Sequence, residues 1–371
     1  MKIGFVGGGT GGHFYPLISV AEKLNTHPEK PELYYFGPSP YSVELLARNN
    51  ITYVYCPAGK LRRYFSFQNV LDLFKIIGGV ITAIFKLYWY YPDVIFSKGG
   101  YTSVPILTAA RILRIPVVIH ESDTSPGRAN KYAKKFARYI GISWAESAEY
   151  FPAEKTALVG IPIRTDILHP PEDPSAFLGI PNDMPLVYVT GGSLGAERIN
   201  TLILNSLNEL LPHMRVFHQC GEANLETVRK IARELLVDTP ELLNRYYVAG
   251  NLDGTTISAV LKMCHIVITR AGSTSLFEIA MYNKPAIIIP IPEEISHDQR
   301  KNAYAYARTG AGEVIEEKNL TEHLLQVELT NILSEPAIYQ KMVAGAQQIH
   351  IGDAAQKIAD ILLSIGHEHG S

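Results

Sequence analysis

Short apolar runs rich in β-branched residues, several ending in glycine-rich turns and most followed by helical spacing, recur along the whole chain, and this alternation predicts doubly wound parallel sheets. The runs fall at residues 2–6, 33–36, 52–56, 94–97, 117–120, 139–142 and 157–159, and again at 186–190, 216–219, 246–249, 266–269, 286–290 and 313–315. Between the two sets, Pro170, Pro171, Pro174, Pro181 and Pro185 mark a linker. The expected organisation is a Rossmann-like domain over 1–164, a Pro-rich linker over 165–185 and a second Rossmann-like domain over 186–371. The last helix is a candidate to pack back on the first domain. A chain of 371 residues has room for two such cores.

The turns are expected to carry the chemistry, because ligands of open parallel sheets sit beyond the carboxyl ends of the strands. His265-Ile266-Val267-Ile268-Thr269 reads as a buried strand, and Gly272, Ser273 and Thr274 end it and cap a helix. A helix N-terminus offers unpaired N–H groups to phosphate oxygens, to which Ser273, Thr274 and Ser275 add hydroxyls. Glu278 lies on the same side of that helix, where its carboxylate would repel phosphate but could accept hydrogen bonds from a ribose diol. The pair suits a nucleotide sugar; the plain alternative is an ordinary helix start with a solvated Glu.

In the first half, Gly7-Gly8-Gly9-Thr10-Gly11-Gly12-His13 follows the first strand and precedes helical spacing over 16–24. Gly7, Gly9 and Gly12 fit the dinucleotide pattern, but the second strand ends in Gly37-Pro38 with no acid to hold a ribose, which argues against NAD. His13, placed directly before the helix, is the best general-base candidate, since imidazole titrates near neutrality. Lys98-Gly99-Gly100-Tyr101 and the stretch from His120 through Asn130 form further turns at the same sheet edge, lining a pocket for an acceptor.

Charge and apolar surface point to a partner for the first half. Residues 1–165 hold 19 Lys and Arg against 11 Asp and Glu, a formal +8, whereas residues 166–371 hold 15 against 25, or −10. The segment 70–90 is apolar on too many faces for a surface helix yet too interrupted to span a bilayer, which needs roughly 20 apolar residues. Phe74, Ile77, Ile81, Phe85 and Trp89, with Lys60, Arg62 and Arg63 nearby, suit a monotopic contact with an anionic membrane better than a nucleic acid. The alternative is a helix buried in the first domain. Cys56, Cys220 and Cys264 are too scattered for a disulfide framework or zinc cluster. A reducing cytosol and no leader segment are expected.

Taken in order, Gly8 through His13, Gly99 through Pro105, His120-Glu121 with Asn130-Lys131, Gly160-Ile161-Pro162-Ile163-Arg164, Gly191 through Ala196 with Asn200, His218-Gln219, Arg270-Ala271-Gly272 with Glu278, and Gln299 through Ala303 resemble the bacterial MurG glycosyltransferase family. The resemblance implies two domains of GT-B type and an inverting, metal-independent hexosyltransferase with no cofactor. Its implied substrates are UDP-N-acetylglucosamine and a polyprenyl-pyrophosphoryl muramoyl peptide, joined to give lipid II at the cytoplasmic face of the cell membrane. Carried over, it implies a donor site of Thr10, Gly11, Gly12, Arg164, Ser193, Leu252, Arg270, Ser273, Glu278, Gln299 and Asn302. His13 is implied as catalytic, with Tyr101, Glu121 and Asn130 beside it on the acceptor. A related transferase with another lipid, or a UDP-sugar epimerase, is the competing expectation. Two departures stand out: Ser122-Asp123 where the family usually has Gln-Asn, and Asp298 ahead of Gln299.

Overall fold

A computed structural model describes residues 1–59, 67–192, 195–294, 297–349 and 352–370. The chain divides into two compact units, Met1–Arg164 with Ile351–Ser371, and Thr165–His350.

Among the described residues, the first unit holds a seven-stranded parallel sheet of β1 (Lys2–Val6), β2 (Glu32–Gly37), β3 (Ile51–Tyr55), β4 (Val94–Ser97), β5 (Val117–Glu121), β6 (Tyr139–Ile142) and β7 (Thr156–Leu158), in the order β3-β2-β1-β4-β5-β6-β7. The order reverses between β1 and β4. The two Gly-rich turns that follow these strands therefore flank the switch point, where a doubly wound sheet opens a crevice. Both faces are covered. On one, the helix Gly11–Thr26 supplies Phe14, Leu17, Ile18 and Leu24, and the last helix, Ala354–Gly370, adds Ile358, Ala359 and Leu362 to the same core. On the other, Ala83 and Leu87 pack with Ile106 and Leu107.

The second unit repeats the plan with β8 (Leu186–Thr190), β9 (Arg215–Gln219), β10 (Tyr246–Ala249), β11 (Ile266–Thr269), β12 (Ala286–Ile288) and β13 (Gly312–Val314), ordered β10-β9-β8-β11-β12-β13. Here the reversal lies between β8 and β11, beside the turns at Gly191 and Arg270–Gly272. Residues 165–185 fold as part of this unit: short helices form at Thr165–Leu168 and Pro174–Leu178, Ile167 is fully buried, and Tyr282 donates to its carbonyl at 2.5 Å.

Two helix boundaries differ from the sequence expectation. The first helix begins at Gly11, so His13 lies inside its first turn and not ahead of it. Glycine is a poor helix former, but the first four N–H groups of a helix need no intrahelical acceptor, and Thr10 takes the extended conformation of an N-cap. The apolar helix runs Phe67–Tyr90. No helix among the described residues is long and apolar enough to cross a membrane.

Candidate active site

In the first unit the turns after β1 and β4 meet backbone against backbone. Gly99 and Gly100 have φ of +78° and +83°, and a Cβ on Gly100 would come within 2.8 Å of the Gly8 Cα. Only glycine satisfies both demands. Thr102 Oγ1 and Tyr35 Oη each donate to the Gly7 carbonyl at 3.0 Å, anchoring the β1 turn. Thr10 makes no side-chain cap to the helix; its Oγ1 lies 2.9 Å from His13 Nδ1. His13 is partly buried. Loss of solvent, then the positive charge of Lys98, hold its pKa down to about 4 against the opposing pull of Asp123. It is neutral at pH 7 and able to accept a proton.

The tip of β5 builds a buried polar cluster. Glu121 Oε1 accepts from the Asp123 N–H at 3.0 Å, while Oε2 accepts from the Gly127 N–H at 3.0 Å and Asn130 Nδ2 at 2.9 Å. These three donors favour the carboxylate, but burial, then Asp123, outweigh them and push its pKa up to about 7. His120 Nε2 lies 2.7 Å from the Gly160 carbonyl, and burial holds this imidazole well below its ordinary value. Lys98, 3% exposed, directs its ammonium to His120 Nδ1 at 2.5 Å and to Ser122 Oγ. Burial brings that lysine down to about 8. Tyr101 lies nearby in sequence on a short 3-10 turn and is 45% exposed.

In the second unit, Gly272 is the N-cap of Ser273–Met281 and has no side chain to cap it. A helix N-terminus also carries the positive end of the helix dipole, which favours an anion. Asn302, 1% exposed, ties this turn to its neighbour by donating to the Ala271 carbonyl at 3.3 Å. Glu278 lies one turn further on, partly buried, and its charge adds to the burial that raises the phenols of Tyr188 and Tyr282. Leu252 sits between β10 and the helix Gly254–Met263, whose N-cap Asp253 accepts from the Thr256 N–H at 2.7 Å. Gln299 Oε1 is 3.5 Å from the Ile291 N–H.

Two matched residues have structural partners. Arg270 donates to the Ile289 and Pro290 carbonyls at 3.1 and 3.2 Å and pairs with Glu317 at 2.6 Å, bracing the strand tips. His218 is buried, with Tyr246 Oη 2.7 Å from Nδ1 and Asn200 Oδ1 3.0 Å from Nε2. The adjacent Gln219 accepts from Tyr188 and Thr190 at 2.8 and 2.9 Å.

Residues 3–142 match the glycosyltransferase family 28 N-terminal domain, and residues 186–360 match the glycosyltransferase family 28 C-terminal domain. A Treponema denticola protein named UDP-N-acetylglucosamine--N-acetylmuramyl-(pentapeptide) pyrophosphoryl-undecaprenol N-acetylglucosamine transferase is 38% identical over 334 residues, covering 84% of this chain and 83% of its own length. This chain belongs to the MurG family. MurG of Acinetobacter baumannii has the same fold, with a TM-score of 0.73 at 22% identity over 98% of this chain and 99% of that one. A UDP-GlcNAc 2-epimerase from Neisseria meningitidis shares the fold as well, at TM-score 0.70 and 16% identity over 98% of this chain and all of its own. Fold alone therefore does not separate the MurG family from that epimerase, whereas sequence does.

The first unit brings together Thr10, Gly11, Gly12 and His13 at one helix start and Glu121 with Asn130 at the β5 tip. Arg164 belongs to this unit too, its guanidinium 4.1 Å from the centre of the Tyr15 ring. The second unit groups Arg270, Ser273, Glu278 and Asn302 around β11. Ser193, Lys60, Arg62 and Arg63 lie outside the described residues, as does the side chain of Phe74. Lys98 was expected only as part of a turn lining the acceptor pocket, with no role of its own. A lysine between a buried strand and two glycines was the available signal, since a charge there can only face inward or toward the crevice.

Proposed function

We propose that this chain moves N-acetylglucosamine from UDP-N-acetylglucosamine to a polyprenyl-pyrophosphoryl muramoyl pentapeptide, giving lipid II. The single observation that carries this is the 38% identity to a named transferase over most of both chains. His13 is the base: an acceptor hydroxyl attacks the anomeric carbon, its proton passes to the imidazole, and the bond to the UDP oxygen breaks with inversion. Glu121, Asn130 and Tyr101 hold the acceptor. Glu278 holds the ribose, Leu252 the uracil through its backbone, and Gln299 and Asn302 the sugar hydroxyls. The N–H groups at Ser273, with Ser193 and Arg270, stabilise the departing diphosphate, and Thr10, Gly11, Gly12 and Arg164 are donor-binding residues as well.

The enzyme works as a peripheral protein on the cytoplasmic face of the cell membrane. Supporting this, Ile77, Ile81, Phe85 and Trp89 form an outward stripe on Phe67–Tyr90 at exposures of 49, 51, 70 and 82%. Spacings of four residues put them on one helix face, and an apolar face of that size left in water is a cost that lipid removes. Lys60, Arg62 and Arg63 add charge for anionic headgroups.

Incubating the protein with UDP-N-acetylglucosamine and the lipid acceptor should release UDP with formation of a disaccharide lipid. Turnover of the nucleotide sugar to its 2-epimer without any acceptor would identify an epimerase.

A further inference from the structure

Lys98 directly follows β4, is 3% exposed, and has no part in the roles assigned above. An ammonium taken out of water must be repaid by partners, and its partners here are specific. The Gly160 carbonyl can only accept, so His120 Nε2 carries the proton and Nδ1 presents a lone pair, which the Lys98 ammonium meets at 2.5 Å. A second N–H goes to Ser122 Oγ. The charged and titratable groups in its field are Glu121 and Asp123 from β5 and its turn, His120 beside them, and His13 from the first helix. Ser122 and Asp123 are also the positions where this chain departs from the His-Glu-Gln-Asn pattern. A hydroxyl there is short enough to leave room for an ammonium, and a carboxylate balances its charge.

We propose that Lys98 is a positioning residue for the acceptor: its ammonium clamps the His120–Asp123 turn, so that Glu121 and Asn130 face the acceptor in one arrangement, and its charge sets the field at His13. The inference rests on the acceptor-side reading of the first unit.

The test uses the full-length enzyme with Lys98→Met and Lys98→Gln. Lys98→Met removes donors and charge together. The acceptor KM should rise about tenfold or more while UDP affinity by calorimetry stays at the parent value. The acidic limb of kcat/KM should move to higher pH, because no positive charge then opposes protonation of His13. Lys98→Gln keeps a donor for His120 and Ser122 without the charge, so it should recover most of the acceptor KM yet retain the shifted limb. Parent-like KM and limb in a folded Lys98→Met overturn the proposal. If Lys98→Met lacks the parent's circular dichroism, Lys98→Gln decides, and an unmoved limb overturns it. Failure of the wider reading looks different: full turnover in His13→Ala removes the base, and no UDP release by the parent removes the transferase.

Discussion

Asn130 Nδ2 donates to Glu121 Oε2 at 2.9 Å, while Oδ1 of the same amide is buried beside Gly99 and has no hydrogen-bond partner among the described residues. The second Nδ2 hydrogen goes to the His120 carbonyl at 3.1 Å, so the amide cannot turn over without losing both bonds. The amide is therefore fixed in one orientation against the Glu121 carboxylate. Asn130→Asp should put a second carboxylate against Glu121 and raise the acceptor KM about tenfold or more, a loss of roughly 1–3 kcal/mol. UDP affinity should not change. Steady-state kinetics against each substrate separates the two; equal loss for both would place Asn130 outside the acceptor site.

His13→Ala should lower turnover by roughly 10²–10⁴ with UDP affinity kept. Because its pKa is held down to about 4, His13 stays neutral until the pH nears that value, and protonation then disables it. The ionisation that His13 contributes to the acidic side of kcat/KM for the acceptor should therefore lie below about pH 5, apart from any change that the Glu121 carboxyl adds near pH 7. An acidic limb near the ordinary histidine value, surviving in His13→Ala, would assign the ionisation to another group.

Glu278→Ala removes an acceptor for the ribose diol and should weaken UDP binding about tenfold or more, again roughly 1–3 kcal/mol. Titration calorimetry of UDP gives the answer directly. Unchanged affinity would leave Glu278 as a surface residue of its helix.

Phe85 and Trp89, exposed by 70 and 82%, should enter a lipid interface. Full burial of a large apolar side chain is worth about 1.5–3 kcal/mol, so changing both to Ser should weaken binding to anionic vesicles by at least about tenfold. Cosedimentation equal to the parent's would exclude this helix face as the contact.

His218 offers a stability test. Burial holds it down to about 3, so below the ordinary value of 6.5 the unfolded chain takes a proton that the folded one refuses. Stability should fall as pH drops through this window, by about 1.4 kcal/mol per pH unit for this residue. Urea unfolding between about pH 4 and 6 should give a shallower slope for His218→Gln. An identical slope would mean that His218 is protonated in the fold.

The strands were legible because burial on both faces of a parallel sheet forces β-branched apolar runs, as at residues 94–97, 139–142 and 266–269, which match β4, β6 and β11 residue for residue. The glycine turns were legible because positive φ and close backbone approach leave no alternative at Gly99 and Gly100. Helix limits were less so: the start at Gly11 runs against propensity and depends on how the β1 turn is anchored by Tyr35 and Thr102, residues distant in sequence. Partnerships of buried polar groups were not legible at all. His218 reads only as part of a family motif and Arg270 as a donor-site residue, and neither stretch names the Asn200 or Glu317 that each meets, while Lys98 reads as part of a turn and lies at the centre of the β5 cluster. Local sequence determines which way the backbone goes, since φ, ψ and apolar period are short-range properties. Which polar atoms meet depends on strands far apart in the chain, 22 residues between Lys98 and His120 and 40 between His120 and Gly160, and only the folded sheet brings them together.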